Sequence, residues 1–238
     1  MNPEKRFAVL TGASRGIGRA LALALARDGY QLAVCSRSED KLAELKAEIS
    51  KVYPDAVVHT QACDVAERKD LDRFAAQVLQ VTDQVDVLVN NAGVFIMGNI
   101  LGEEEGRLEQ MLATNLLSAY HLTRALAPGM IARGRGDIVN ICSVASLQAY
   151  PGGASYGISK HALLGFSRNL RQELKPSGVR VTAVLPGAVL TDSWSGVDLP
   201  EERFIDVEDL ADLIAGILRL SPRTVVEDVV IRPQPGDI

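Results

Sequence analysis

The stretch that most limits the fold is Phe7 to Gly18, FAVLTGASRGIG. A short apolar run of strand character breaks at Thr11 into a turn spaced by Gly12, Gly16 and Gly18. The chain then passes at once into an Ala- and Leu-rich helix, about Arg15 to Asp28, which Gly29 stops. Strand, glycine turn and helix in that order form the first half of a dinucleotide-binding unit. Glycines let the backbone come close to a pyrophosphate, and a helix N-terminus presents unpaired N–H groups and the positive end of its dipole.

The remainder of the chain repeats the alternation. Strand-like runs at Leu32–Ser36, Val57–Cys63, Val85–Val89, Ile138–Cys142, Val179–Leu185 and Val229–Ile231 are separated by helical patterns. These patterns fall at Glu39–Val52, Arg68–Val81, Glu103–Arg133, Ser155–Leu174 and Val207–Leu220. Regular β/α alternation with right-handed crossovers predicts an α/β fold, a doubly wound parallel sheet of about seven strands with helices on both faces. At 238 residues, 47% hydrophobic and 23% charged, one domain holds the whole sequence. A net charge of −5 argues against a nucleic-acid or anionic-membrane partner. No apolar run approaches a bilayer span, and a polar N-terminus leads straight into the first strand, so a cytoplasmic protein is expected. Cys35, Cys63 and Cys142 are odd in number and far apart in the chain, as suits small buried hydrophobes rather than disulfides. The three histidines show no metal-ligand spacing, and no metal site is expected.

Chemistry concentrates between Asp137 and Lys160, DIVNICSVASLQAYPGGASYGISK. Tyr156 and Lys160 stand four apart on a predicted helix and so share one face. A phenol is a poor acid at neutral pH, and a neighbouring cation favours its phenolate, which is what protonation of a reduced carbonyl needs. Ser143 ends the preceding strand, where its hydroxyl can reach the same substrate oxygen. A solvated Tyr/Lys surface pair is the competing account of the same spacing. Ser36-Arg37, at the end of the second strand, stand where an acidic residue would otherwise hold a ribose 2′-hydroxyl. A cation there, with Arg15 nearby, favours the 2′-phosphate of NADP over NAD, unless both arginines are merely solvated. Asp64 is placed either to accept from an adenine amino group or to cap the following helix ahead of Glu67. Asn90-Asn91-Ala92-Gly93 combines small residues with amides that can tie strands together. Asn115 falls inside a helical pattern, where a local opening would free a carbonyl to hold a water near Lys160. After Pro186-Gly187, Thr191 can donate to a phosphate or to a nicotinamide amide.

TGASRGIG, NNAG, Asn115, Ser143, YGISK and the Pro-Gly followed by Thr191, all in register, resemble the classical short-chain dehydrogenase/reductase family over essentially the whole chain. The resemblance implies an NADP(H)-dependent oxidoreductase with Asn115, Ser143, Tyr156 and Lys160 as catalytic tetrad. It assigns Gly12, Ser14, Arg15, Ile17, Arg37, Asp64, Val65, Asn91, Gly93, Val189 and Thr191 to the cofactor surface, alongside Gly16, Gly18, Ser36, Ala92, Pro186 and Gly187. The tail SPRTVVEDVVIRPQPGDI departs from ketoacyl-carrier-protein reductases and is similar to bacterial sepiapterin reductases and related carbonyl reductases. By that likeness a small ketone or aldehyde is the substrate, with 3-oxoacyl thioesters and hydroxy acids as alternatives. A nucleotide-bound regulatory protein is the non-enzymatic alternative. Residues 190–206 are expected to form a substrate lid, with Trp194 either stacking on substrate or packing the lid down. Tyr150, Gln148, Val94 and Phe95 are further candidates for the pocket wall. The family also implies a homodimer across the two long helices, with a tetramer as the alternative.

Overall fold

The computed structural model describes residues 6–192 and 199–237. Seven strands are described: β1 (Phe7–Thr11), β2 (Gln31–Ser36), β3 (Val58–Ala62), β4 (Val87–Asn90), β5 (Gly136–Ile141), β6 (Val179–Pro186) and β7 (Asp228–Ile231). They form one parallel sheet in the order β3-β2-β1-β4-β5-β6-β7. The expected doubly wound sheet is therefore observed. The connecting helices are α1 (Gly16–Arg27), α2 (Glu39–Val52), α3 (Arg68–Val81), α4 (Arg107–Leu112), α5 (Ser118–Arg133), α6 (Ala154–Leu174) and α7 (Val207–Leu218).

Both sheet faces are sealed, because successive strand residues point to opposite sides. Ala8 and Leu10 of β1 join Leu32, Val34 and Val139 under α1, α2 and α7, in a cluster that includes Leu21, Leu45 and Ile214. Phe7 and Val9 face the other way, with Leu88, Ile138 and Val181, against Phe74 of α3 and Leu122 and Met130 of α5. Leu163 and Leu164 of α6 pack on Ala183 and Leu185 of β6. Arg171 ties α6 down further: its Nε donates to the Val181 carbonyl at 2.8 Å and its guanidinium meets Asp228 at 2.7 Å. The strand order reverses between β1 and β4, and ligands of such sheets bind in the crevice beyond the strand C-termini at that point.

Several boundaries differ from the pattern read in sequence, each for a local reason. The long helical stretch from Glu103 begins only at Arg107, because Gly106 adopts a left-handed conformation (φ 83°) that ends the preceding turn. It is then interrupted by a π turn, Ala113–Leu117, in which the Ser118 N–H donates to the Ala113 carbonyl five residues back. Glu67, not Asp64, is the residue that precedes α3, so Asp64 is no helix cap. Its Oδ1 accepts instead from the Ala66 N–H at 3.0 Å, closing a turn of its own. Cys35 and Cys63, distant in sequence, are brought side by side at the ends of β2 and β3. The Cys35 thiol, hydrogen-bonded to that of Cys63 and sealed from solvent, is pushed well above its ordinary pKa. All three cysteines are buried and unpaired. Among the described residues no helix is long and apolar enough to cross a membrane.

Candidate active site

The glycine turn is a cradle whose tightness explains its composition. Gly12 (φ 69°) lies so close to β4 that a Cβ there would sit 2.9 Å from the Ala92 Cα. A Cβ at Gly18 would stand 2.3 Å from the Gly12 carbonyl oxygen and 2.5 Å from the Asn91 amide nitrogen. Arg15, which precedes α1 in an extended conformation, makes no side-chain capping bond to the helix, so the first turn of α1 keeps N–H groups for an anion. Thr191 closes the cradle from the far side, its methyl 3.1 Å from where a Cβ at Gly16 would be. The turn therefore fits a pyrophosphate approached by backbone.

The wall beside the cradle is built from β4. The Asn91 side chain is consumed structurally: its Nδ2 donates to the Thr11 and Gly12 carbonyls at 2.9 and 3.1 Å. Thr11 returns the tie, its Oγ1 accepting from the N–H groups of Asn91 and Ala92. Of the amides in the Asn90-Asn91 pair, neither faces the crevice, since Asn90 donates to Thr123 and Asn140 within the core. At the end of β2, Ser36 is buried and its hydroxyl is engaged with the backbone of Ser38, so it offers backbone rather than side chain to a ligand. Arg37 is exposed and has no hydrogen-bond or ion-pair partner among the described residues. Arg15 lies 3.6 Å from Asp192, both more than half exposed, an ion pair worth about 1 kcal/mol or less. Val65 is buried beneath the site, and Val189 is held by a bridge to Ile205. The Gly187 N–H donates to the Ile231 carbonyl at 2.8 Å, extending the pairing of Pro186 with β7. Ser14 lies half-buried in the glycine turn and Gly93 is exposed at the end of the β4 wall.

The residues of the predicted tetrad converge. Ser143, two residues past the end of β5, accepts from the Ala145 N–H at 3.1 Å, which fixes its rotamer, and its hydroxyl is hydrogen-bonded to that of Tyr156. The Lys160 ammonium lies 5.8 Å from the Tyr156 ring centre. Asn115 Oδ1 and Lys160 Nζ flank the same side of Gly93, at 3.3 and 3.6 Å from the position of an added Cβ. Phe95 meets the Tyr156 ring edge-on at 4.8 Å. Tyr150 stands on the turn before α6, about a third exposed, its ring against Gly153. Gln148 is exposed on the same turn. Trp194 lies outside the described residues, as does most of the expected lid tip, residues 193–198.

For Asn115 the local opening is present, whereas the expectation of an acidified phenol changes. Asn115 does not present its amide: Oδ1 accepts from the Val94 N–H at 2.7 Å, while Nδ2 donates to the Val94 carbonyl and to Ser159 Oγ. Its backbone lies in the π turn, the local opening that would free a carbonyl. The Tyr156 phenol is not made acidic in this arrangement. Burial raises it more than the Ser143 hydrogen bond lowers it, and the Lys160 side chain is turned to the Ile141 carbonyl at 2.8 Å. Lys160 is itself buried, and desolvation holds its pKa down to about 8, from 10.5. Two residues not singled out in the sequence complete the cluster. Thr11 joins β1 to β4, and Ser159, fully buried, accepts from Asn115 and donates to the Tyr156 carbonyl at 2.7 Å. Both lie inside quoted motifs, TGASRGIG and YGISK, which is the one sequence signal for either role.

A depressed lysine favours the neutral form in the folded chain, so its contribution is complete above the unfolded value and lost as pH falls through the folded one. Without nucleotide, the wild type is therefore expected to gain stability relative to Lys160→Met as pH rises from about 8 to 10.5. Urea unfolding of both proteins across that window checks the sign; a constant difference would contradict the buried-amine geometry.

A seven-stranded parallel sheet with a glycine cradle at its switch point and a Ser, Tyr, Lys and Asn cluster beside it defines a dinucleotide-dependent oxidoreductase architecture. The profile of the short chain dehydrogenase family matches residues 6–201, and the chain belongs to that family. It is 32% identical over 228 residues to an uncharacterized oxidoreductase of Staphylococcus haemolyticus, covering 96% of this chain and 97% of the relative. It is likewise 32% identical over 242 residues to the sepiapterin reductase of Chlorobaculum tepidum, covering 98% of each. Among solved structures, an alcohol dehydrogenase from the archaeon Thermococcus sibiricus, complexed with 5-hydroxy-NADP, superposes with a TM-score of 0.91 at 32% identity and 97% coverage of both chains. A metagenomic short-chain oxidoreductase in complex with NADP gives 0.84 at 34% identity, covering 96% of this chain and 97% of that one.

Proposed function

We propose that the protein reduces a small ketone or aldehyde with NADPH, with Tyr156 as proton donor. The observation that carries this reading is the half-buried Tyr156, its hydroxyl hydrogen-bonded to Ser143 and one helical turn from the Lys160 amine. Bound NADPH supplies the hydride that reaches the carbonyl carbon. Ser143 holds the carbonyl oxygen, and Tyr156 gives it the proton that completes the alcohol. Lys160, its pKa held down to about 8, is suited to return a proton to the phenolate. Asn115 clamps Val94 and Ser159, which keeps the β4 wall and the Tyr156 turn in register. The cradle of Gly12, Gly16 and Gly18 with the first turn of α1 would take the pyrophosphate, and Arg37 and Arg15 the 2′-phosphate.

The preference for NADPH rests on Arg37, which is exposed, without a partner among the described residues, and beside the C-terminal end of β2. Arg37→Asp is expected to weaken NADPH binding roughly 10- to 100-fold, the loss of one charge-assisted contact, and to leave NADH binding nearly unchanged. Fluorescence titration with each nucleotide measures this; equal affinities in both proteins would remove the assignment. The likeness to a sepiapterin reductase makes a dicarbonyl side chain on a pterin the first substrate to try. NADPH oxidation should be followed with a panel of diketones, sepiapterin and acetoacetyl thioesters. Silence across the panel would remove the substrate reading. A cytosolic homodimer is part of the same proposal, supported by the exposed Leu117, Tyr120, Ile131 and Ile158 on or beside α5 and α6, and light scattering tests it.

A further inference from the structure

The helix that carries Tyr156 has no cap of its own. Gly153, at its N-cap position, offers no side chain, and Ala154, its first residue, has φ 25°, the one positive φ among the described non-glycine residues. Both features cost stability at the end of α6 where geometry matters most for the reaction. The end is held instead from 52 positions upstream. Glu103 accepts a hydrogen bond from Ser155 Oγ on Oε2, while its Oε1 takes the Ser155 N–H at 3.4 Å.

Glu103 is itself seated firmly. Its N–H donates to the Asn99 carbonyl at 2.9 Å, and its side chain runs over Gly98, where a Cβ would come within 2.7 Å of Cγ and Oε1. Gly98 in turn donates to the Gly152 carbonyl at 3.1 Å, so the segment Gly98–Glu103 grips the turn before α6 at Gly152 and the first turn of α6 at Ser155. The same segment continues from Val94, which Asn115 clamps, and Phe95, which touches the Tyr156 ring. Of the acidic residues beside it, Glu104 is taken up by Arg107, and neither it nor Glu105 reaches α6.

We propose that Glu103 is a positioning residue: it supplies the missing cap of α6 and thereby sets the Tyr156 hydroxyl against Ser143 and the carbonyl to be protonated. The inference rests on the reading of Tyr156 as proton donor. A carboxylate at a helix N-terminus also interacts favourably with the dipole, but the paired contacts to Ser155 Oγ and N–H are what fix the direction of the first turn. Misplacing a reacting group by about 1 Å costs on the order of 100-fold in rate.

The test uses full-length protein with NADPH and the fastest ketone of the panel. Glu103→Ala is expected to lower kcat tenfold or more, with the NADPH dissociation constant unchanged and KM for the ketone within a factor of three. Glu103→Gln should restore most of kcat, because its carbonyl can accept from the Ser155 N–H while its amide donates to Ser155 Oγ. Ser155→Ala, which removes one of the two contacts, should fall between them, and it carries the test should Glu103→Ala fail to fold. Normal kcat in Glu103→Ala would overturn the inference, as would loss of NADPH binding in proportion to kcat, or a Gln variant as slow as the Ala variant. With no active ketone, hydrogen exchange of residues 155–160 in the NADPH complex decides, and unchanged exchange in Glu103→Ala sinks it. Tyr156→Phe run in parallel separates the two failures. An active Phe variant removes the donor reading itself; an inactive one beside a normal Glu103→Ala removes only the positioning role.

Discussion

Tyr156→Phe is expected to lower kcat about 1000-fold, while NADPH affinity stays within a factor of two or three of wild type. The hydroxyl is the only group removed. The ring keeps its edge contact with Phe95 at 4.8 Å and its place above Lys160, so neither the cofactor crevice nor the helix should move. A positioned general acid contributes roughly 10²- to 10⁴-fold, and 1000-fold corresponds to about 4 kcal/mol of transition-state stabilisation. The folded protein should not suffer: the phenol is already disfavoured as an anion by burial, and Phe fills the same volume without a hydroxyl to satisfy. NADPH oxidation with the fastest ketone and a nucleotide titration make the measurement. Turnover at the wild-type rate would dismiss the proposed proton donor; a parallel fall in nucleotide affinity would instead mean that the hydroxyl binds rather than donates.

The second large effect concerns architecture. Gly18→Ala is expected to destabilise the protein by about 1–3 kcal/mol and to weaken NADPH binding at least 100-fold. A methyl group there would stand 2.3 Å from the Gly12 carbonyl and 2.5 Å from Asn91 Nδ2, both part of the cradle and neither the free end of a flexible chain. To admit it, either α1 must move off the turn, an overpacking strain of roughly 1–3 kcal/mol, or Asn91 must give up its bonds to Thr11 and Gly12, at about 1 kcal/mol each. Either route moves the backbone meant for the pyrophosphate. The same substitution at Gly165, on α6 with nothing within 4 Å, should be neutral or stabilising by up to about 1 kcal/mol. Urea unfolding and nucleotide titration of both variants provide the comparison, and similar behaviour at the two positions would show that the steric reading of the cradle is wrong.

The cradle and the Tyr156/Lys160 pair were legible in the chain because their chemistry is local. Glycines at fixed spacing follow a strand within one turn, and two side chains four apart share a helix face whatever surrounds them. The bend in the Asn115 helix was foreseeable only as a condition, since nothing in ATNLL demands a π turn; packing of Asn115 against Val94 and Ser159 selects it. Charge was the least legible property. Sequence proximity puts a cation near the phenol, but the fold turns that cation to the Ile141 carbonyl, and desolvation of both groups raises the phenol and lowers the amine. Asp64 shows the same limit on a smaller scale: a cap and a turn demand the same residue type, and only the path of the backbone chose the turn.

From its sequence alone this chain was bound to form a parallel α/β sheet with a dinucleotide cradle after β1 and a Ser, Tyr and Lys cluster after β5. Periodicity and turn chemistry act over a few residues and need no partner. Tertiary structure alone decided which distant groups meet: Glu103 with Ser155, Asn91 with Thr11, Cys35 with Cys63, and the Lys160 amine with a backbone carbonyl. Those contacts join residues on separate elements, and their energies depend on burial, which no single stretch of chain encodes.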